Sequence, residues 1–301
     1  MTLDLDMLNS RHALAGALRF TRADNGPTLA EIANPLGSAS IALEGGQILT
    51  WAPKDQEAVV WLSPQAKYTA GKSLRGGIPV CWPWFGPHAT ESAFPAHGFA
   101  RNKPWDVASS EQLTDGATRL TLKLQQDQET AAWWPHRAEL TLTVTVGAVL
   151  RIELATRNLG NQPLTLSEAL HTYFHVSDIG AVSVNGLEGC AFLDKVDGGA
   201  RKTQDGAVTI VGEVDRVYLG TTATAVIHDP GLKRRIRIAK SGSRSTVVWN
   251  PWAEKGAKFG DMGDDGYRRM LCVETANALD DAVTVAPGDT HVLMAEYAVE
   301  A

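Results

Sequence analysis

Short segments in which apolar and polar residues alternate, each closed by a cluster of turn formers, recur along the whole chain, and sustained 3.6-residue periodicity is hard to find. The clearest is ELTLTVTVGAVLRIELATRNLG. Leu140, Leu142, Val144 and Val146 share one face there, and Thr141, Thr143 and Thr145 share the other. Gly147 sits where the chain would turn into a second strand carrying Leu150, Ile152 and Leu154, so the segment predicts a β-hairpin. A second hairpin is predicted in TAVIHDPGLKRRIRIAK, where Asp229, Pro230 and Gly231 supply turn chemistry between two β-rich runs. STVVWN follows an SGS turn, and near the end APGD separates VTV from THVLMAEYAV in the same manner. Many strands with almost no helix predict an all-β protein, a large antiparallel β-sandwich.

Composition supports a sizeable core: 301 residues, 44% hydrophobic and 21% charged. No repeat, low-complexity tract or Pro/Ser linker divides the chain, so one domain over residues 1–301 is expected. A net charge of −6 argues against a general nucleic-acid or anionic-membrane surface. Cys81, Cys190 and Cys272 are odd in number and lack C-x-x-C spacing, which indicates neither a disulfide framework nor a zinc knuckle and fits a reducing compartment. The first residues, MTLDLDMLNS, carry acids before any base and no long apolar run, unlike a secretory leader. No stretch of about 18 apolar residues occurs. These features together predict a cytoplasmic protein with no nucleic-acid or membrane partner.

Residues 71–104 are the richest in Pro and Gly yet full of Trp and Phe, which reads as an ordered loop system on a rigid sandwich. Between Lys67 and Lys103 lie Lys67, Lys72, Arg75, Arg101 and Lys103 against one acid, Glu91, a local net charge of +4. Beside Trp82, Trp84 and Phe85, this suits a small anionic ligand with an apolar face, and Gly76 and Gly77 are expected to let backbone N–H groups approach the anion. The plainer alternative is scattered surface cations over ordinary core tryptophans. Lys233, Arg234, Arg235 and Arg237, interleaved with Ile236 and Ile238, predict a strand with a solvated face.

Three segments, FPAHGFARN, SEALHTYFHV and RMLCVETAN, place an ionisable residue in a setting too apolar or glycine-rich for a plain surface: His97, His171 and Glu274. Taken singly, a buried histidine is more often a hydrogen-bonded core residue than a catalyst. Glu274 is the sharper case, since a carboxylate in an apolar strand needs a partner or a role. His171 and His175, four apart in HTYFH, raise a metal site of the cupin type, but its other ligands would have to come from distant segments. No metal or other cofactor is therefore expected. His12, His88, His136, His228 and His291 carry no motif and are assigned to surface or core.

The segments LRGGIPVCWPWFGPH, FPAHGFARNKPWDV, EALHTYFHV, DRVYL, VVWNPW and FGDMGDDGYRRMLCVETAN, in this order over residues 74 to 277, resemble the glucose-6-phosphate 1-epimerase family. These are hexose-6-phosphate mutarotases, relatives of aldose 1-epimerase. The resemblance implies a galactose-mutarotase-type β-sandwich, no cofactor, and a small sugar phosphate as partner; separately from it, a monomer is expected. It implies His171 and Glu274 as the catalytic pair and His97 as a lining residue of the sugar site. Arg75 and Arg101 match substrate-binding arginines, with the phosphate as target, and Asp215 matches an aspartate that binds sugar hydroxyls.

Interconverting anomers means opening a hemiacetal: a proton leaves the anomeric hydroxyl while another reaches the ring oxygen, and the groups exchange roles on closure. Glu274 suits the base, its basicity raised by burial. His171 suits the acid if a rise in its pKa or a fixed tautomer keeps a proton ready. Two guanidinium groups suit a phosphate better than a neutral sugar. Trp82 or Trp84 would pack against the sugar's apolar face unless both are core. Two other functions are open at this stage. An aldose 1-epimerase of free hexoses differs only at Arg75 and Arg101, and a non-catalytic carbohydrate-binding sandwich would need no matched acid and base.

Overall fold

Both predicted hairpins form in the computed structural model, which describes residues 4–22 and 25–300. Ala138–Val146 pairs antiparallel with Val149–Asn158, Val146 opposite Leu150, and the Gly147 N–H donates to the Val149 carbonyl at 3.1 Å. Leu140, Leu142, Val144 and Val146 are buried, as the alternation requires. Ala225–Asp229 pairs with Arg234–Ser241 around the Asp-Pro-Gly turn. Both hairpins belong to one nine-stranded antiparallel sheet, joined through the long strand Thr290–Glu300, which lies between Arg234–Ser241 and Val149–Asn158.

A second, eight-stranded sheet carries the chemistry. Its strands are β1 (Val80–Cys81), β2 (Glu168–Leu170), β3 (Tyr173–His175), β4 (Ala191–Asp194), β5 (Ala200–Thr203), β6 (Val214–Leu219), β7 (Ser245–Asn250) and β8 (Met270–Asn277). The spatial order is β5-β4-β6-β7-β8-β2-β1, with β3 pairing β8 beyond the end of β2. Leu170 and Phe174, Val248 on β7 and Leu271 and Val273 on β8 face the nine-stranded sheet and share one core cluster with Leu142, Ile152 and Leu154. Phe174 meets Tyr297 edge to face at 5.0 Å, stitching the two sheets together. A four-stranded sheet over residues 18–53 completes the main β structure, and helices are short: Leu5–His12, Gln128–Trp133 and Trp252–Ala257. No described helix is long and apolar enough to cross a membrane.

Two expectations fail here for geometric reasons. APGD is a turn, but it does not join a hairpin: Val283–Val285 pairs with Leu164–Leu166, while Thr290–Glu300 enters the nine-stranded sheet. Arg234 is not on a solvated face. It shares parity with Ile236 and Ile238, is 7% exposed, and donates to the carbonyls of Glu57, Ala58 and His175. Only Arg235 and Arg237 follow the outward pleat.

Candidate active site

The register of β6, β7 and β8 sets the floor of the site. Asp215 lies opposite Trp249, Trp249 opposite Cys272, and Val247 opposite Glu274, so all five side chains project from the face turned away from the main core. They underlie a cavity of about 660 Å³ lined by Asp215, Val247, Trp249 and Glu274. The loop system predicted from residues 71–104 forms much of the wall and contributes Arg75, His97 and Arg101. His171 enters from the break between β2 and β3, where its N–H donates to the Pro79 carbonyl at 3.1 Å.

His171 Nε2 stands 3.3 Å from Glu274 Oε1. Glu274 is 1% exposed, and its Oε2 and the His171 Nδ1 have no partner among the described residues. Two buried polar atoms left open beside a cavity mark where a polar ligand completes the hydrogen bonding. The His171 ring stacks on Tyr173 (centroids 5.1 Å apart, 17° between planes) and meets the edge of Trp249 at 5.9 Å.

Burial, reinforced by Asp215, holds the Glu274 carboxyl well above the ordinary range, while Lys195 and Arg101 pull the other way. Burial first, then the neighbouring His97 and Arg101, pushes His171 well below its ordinary value. Of the two ways to keep a proton on His171, a raised pKa is therefore not found, because desolvation disfavours the imidazolium. Burial of both groups favours the neutral pair, one transferable proton lying between them. His97 is pushed down to about 3 by burial, then by Arg101 and Lys195, so its ring is neutral. Its Nδ1 accepts from the Gly86 N–H at 3.3 Å, leaving Nε2 as the protonated nitrogen. The backbone explains the HGF motif. His97 has φ +65°, and a Cβ on Gly98 would lie 2.0 Å from the Trp82 carbonyl oxygen.

Both arginines reach the cavity, each already partly engaged. Arg75 donates from Nε to Asp261 Oδ1 at 2.9 Å and from Nη1 to the Tyr173 hydroxyl at 3.3 Å, with its guanidinium 4.4 Å above Phe259. Arg101 donates from Nη2 to the Ala96 carbonyl at 2.7 Å, and its buried Nε has no partner among the described residues. Asp215 is raised by burial against the pull of Lys195, whose Nζ is 3.8 Å away. Lys72, Lys195 and Lys255 also line the cavity, so positive charge surrounds a site where burial holds Glu274 and Asp215 back from ionising.

The six predicted site residues thus converge, but several neighbouring expectations do not hold. Trp82 and Trp84 are core, their indole N–H groups donating to Thr156 Oγ1 and the Pro95 carbonyl. Among the described residues, the aromatic surfaces on the cavity are Phe85, Tyr173, Trp249 and Phe259. Gly76 and Gly77 do not line it: the Gly77 N–H donates to the Trp61 carbonyl at 2.6 Å, and a Cβ on either would clash with neighbouring backbone. Lys103 is occupied by Asp127 and Glu129. His171 and His175 do not form a metal pair, since the break after β2 turns His175 towards a separate cavity beside Trp61. Tyr173, Lys195, Trp249 and Asp261 were not singled out from sequence. Alternation in STVVWN was enough to put Trp249 on one face with Val247.

A profile of the aldose 1-epimerase family matches residues 28–298. A relative from Escherichia coli K12, named "Putative glucose-6-phosphate 1-epimerase", is 43% identical over 260 residues, 86% of each chain. The crystal structure of a "putative mutarotase" from Salmonella typhimurium superposes with a TM-score of 0.89 at 36% identity, covering 97% of this chain and 99% of that one. A galactose mutarotase related enzyme from Lactobacillus acidophilus, 13% identical, shares the fold with a TM-score of 0.70 over 91% of this chain and 97% of its own.

Proposed function

This chain belongs to the aldose 1-epimerase family, and from that premise we propose that it interconverts the α and β anomers of a hexose 6-phosphate, glucose 6-phosphate first among them. The observation that carries the reading is the buried His171–Glu274 contact with its two open polar atoms, set in a cavity rimmed by arginine and lysine. The names of the E. coli and Salmonella relatives agree with it.

The sugar's hydroxyls and ring oxygen supply the partners that His171 and Glu274 lack. A proton crossing the 3.3 Å contact gives carboxylate and imidazolium, the pair able to act on both oxygens. Glu274 takes the proton from the anomeric hydroxyl and His171 gives one to the ring oxygen. The ring opens, the aldehyde turns about its bond to the next carbon, and closure on the other face reverses both transfers. His97, neutral and protonated on Nε2, donates to the ring oxygen or the adjacent hydroxyl, Asp215 accepts from hydroxyls, and Trp249 offers an apolar surface. The free N–H groups of Arg75 and Arg101 hold the phosphate. Sugar phosphates do not cross bilayers unaided, and that together with three free cysteines supports a cytoplasmic activity.

The test is kcat/KM for glucose 6-phosphate and for glucose on wild type, Arg75→Ala and Arg101→Ala. Charge-assisted hydrogen bonds of roughly 1.5–3 kcal/mol predict about 10- to 100-fold losses on the phosphorylated sugar, mainly in KM, and little change on glucose. Equal losses on both sugars would mean that the arginines shape the pocket without reading phosphate, and a free-hexose epimerase would be the better reading.

A further inference from the structure

Cys272 has no part in the chemistry above. It sits two residues before Glu274 on β8, on the same face and fully buried, opposite Trp249 on one neighbouring strand and Tyr173 on the other. One ligand atom from each of His171, Cys272 and Glu274 lies within 4.8 Å of the other two. The geometry points to a second property of this site: thiolate, imidazole and carboxylate together bind a thiophilic divalent cation such as Zn²⁺, and the bound ion inhibits the enzyme.

Zn–S, Zn–N and Zn–O bonds of about 2.3, 2.0 and 2.1 Å put tetrahedral ligand atoms roughly 3.3–3.6 Å apart, so the three groups need close by about an ångström at most. Glu274 Oε2 and His171 Nδ1, buried and without a partner among the described residues, leave both side chains able to take a further polar ligand. Sulfur selects zinc, cobalt or cadmium over magnesium and calcium. A thiolate and a carboxylate against a divalent ion with neutral imidazole leave the cluster with no net charge, which suits its burial. On binding, the thiol proton, and the carboxyl proton where present, pass through the cavity to solvent. Glu274 and His171 line that cavity and Cys272 lies beneath them, so the fourth position faces the cavity, where water takes it in place of the sugar. The lone pairs that accept protons in anomer exchange are then on the metal. Exchange stops.

The experiment uses the full chain stripped by dialysis against a strong chelator, which should retain its rate. Equilibrium dialysis with Zn²⁺ should show a site whose affinity falls at least ~100-fold in Cys272→Ala, a ligand loss exceeding the 10- to 100-fold typical of outer-shell changes. Co²⁺ should give a thiolate charge-transfer band in wild type and none in the variant, a readout that needs no substrate. Zn²⁺, but not Mg²⁺, should slow anomer exchange in wild type competitively with sugar, and spare Cys272→Ala relative to its own uninhibited rate. Cys272→Ser, closer in volume, replaces the alanine variant if that one does not fold. Equal zinc affinity in wild type and variant, no cobalt–thiolate band, or faster exchange with zinc would each overturn the inference.

Discussion

Removing one oxygen from Tyr173 separates the grip on the phosphate from the acid–base step. Tyr173 is 4% exposed, stacks under His171 with its ring and on Trp61 at 5.9 Å, and meets Arg75 Nη1 with its hydroxyl at 3.3 Å. Tyr173→Phe keeps both stacks and deletes only the contact that helps aim Arg75. A hydrogen bond to a charged donor contributes about 1.5–3 kcal/mol, but this one is long, and the Arg75 side chain is 24% exposed and keeps Asp261, so about 1–1.5 kcal/mol is at stake. That is roughly a 5- to 10-fold change. It should fall on KM for glucose 6-phosphate, with kcat within about twofold because the ring still supports His171. Glucose should show no loss. The assay is kcat and KM for both sugars by NMR exchange between the anomers. A fall in kcat with KM unchanged, or an equal loss on glucose, would refute the reasoning.

Two further predictions follow from burial of charge. Because the folded-state pKa of Glu274 lies above its ordinary 4.5, the wild type loses stability as pH rises from that value through the folded one, and Glu274→Gln cannot. The melting-temperature advantage of Glu274→Gln should therefore grow from pH 5 to pH 8, and a constant difference would show that the carboxyl is not held up by the fold. His97 works in the opposite direction: depressed from 6.5 to about 3, it contributes stability above 6.5 that is lost as pH falls, about 2 kcal/mol by pH 5. His97→Asn, which tolerates the left-handed backbone, should flatten denaturant-measured stability between pH 7 and pH 5 by that amount, whereas an unchanged slope would mean the imidazole is not buried as a neutral ring.

Local chemistry made the hairpins readable: alternation in 140–146 and turn residues at Gly147 and Asp229–Gly231 act within a few positions. The pairing of Val283–Val285 with a strand more than a hundred residues earlier is a long-range outcome that no local signal encodes. Arg234 sits inside a charged run that hides its place, since parity alone puts it with the buried Ile236 and Ile238. Glu274 was legible as an acid in an apolar strand, yet Glu168 carries the same signature. It is fully buried, 3.3 Å from His291, and points away from the cavity, and only the folded geometry separates the two Glu–His pairs. Asp261 is 186 residues from Arg75, and the aspartate that occupies half of that guanidinium is invisible until the chain closes.

The central claim is that His171 and Glu274 move the protons. Its most direct test is the NMR exchange rate between the two anomers of glucose 6-phosphate at equilibrium, with wild type, His171→Asn and Glu274→Gln at equal concentration, folding verified by near-ultraviolet circular dichroism. The expected result is catalysed exchange in wild type and a loss of at least ~100-fold in each folded variant, the scale of a lost general acid or base. A folded variant exchanging at close to the wild-type rate would contradict it.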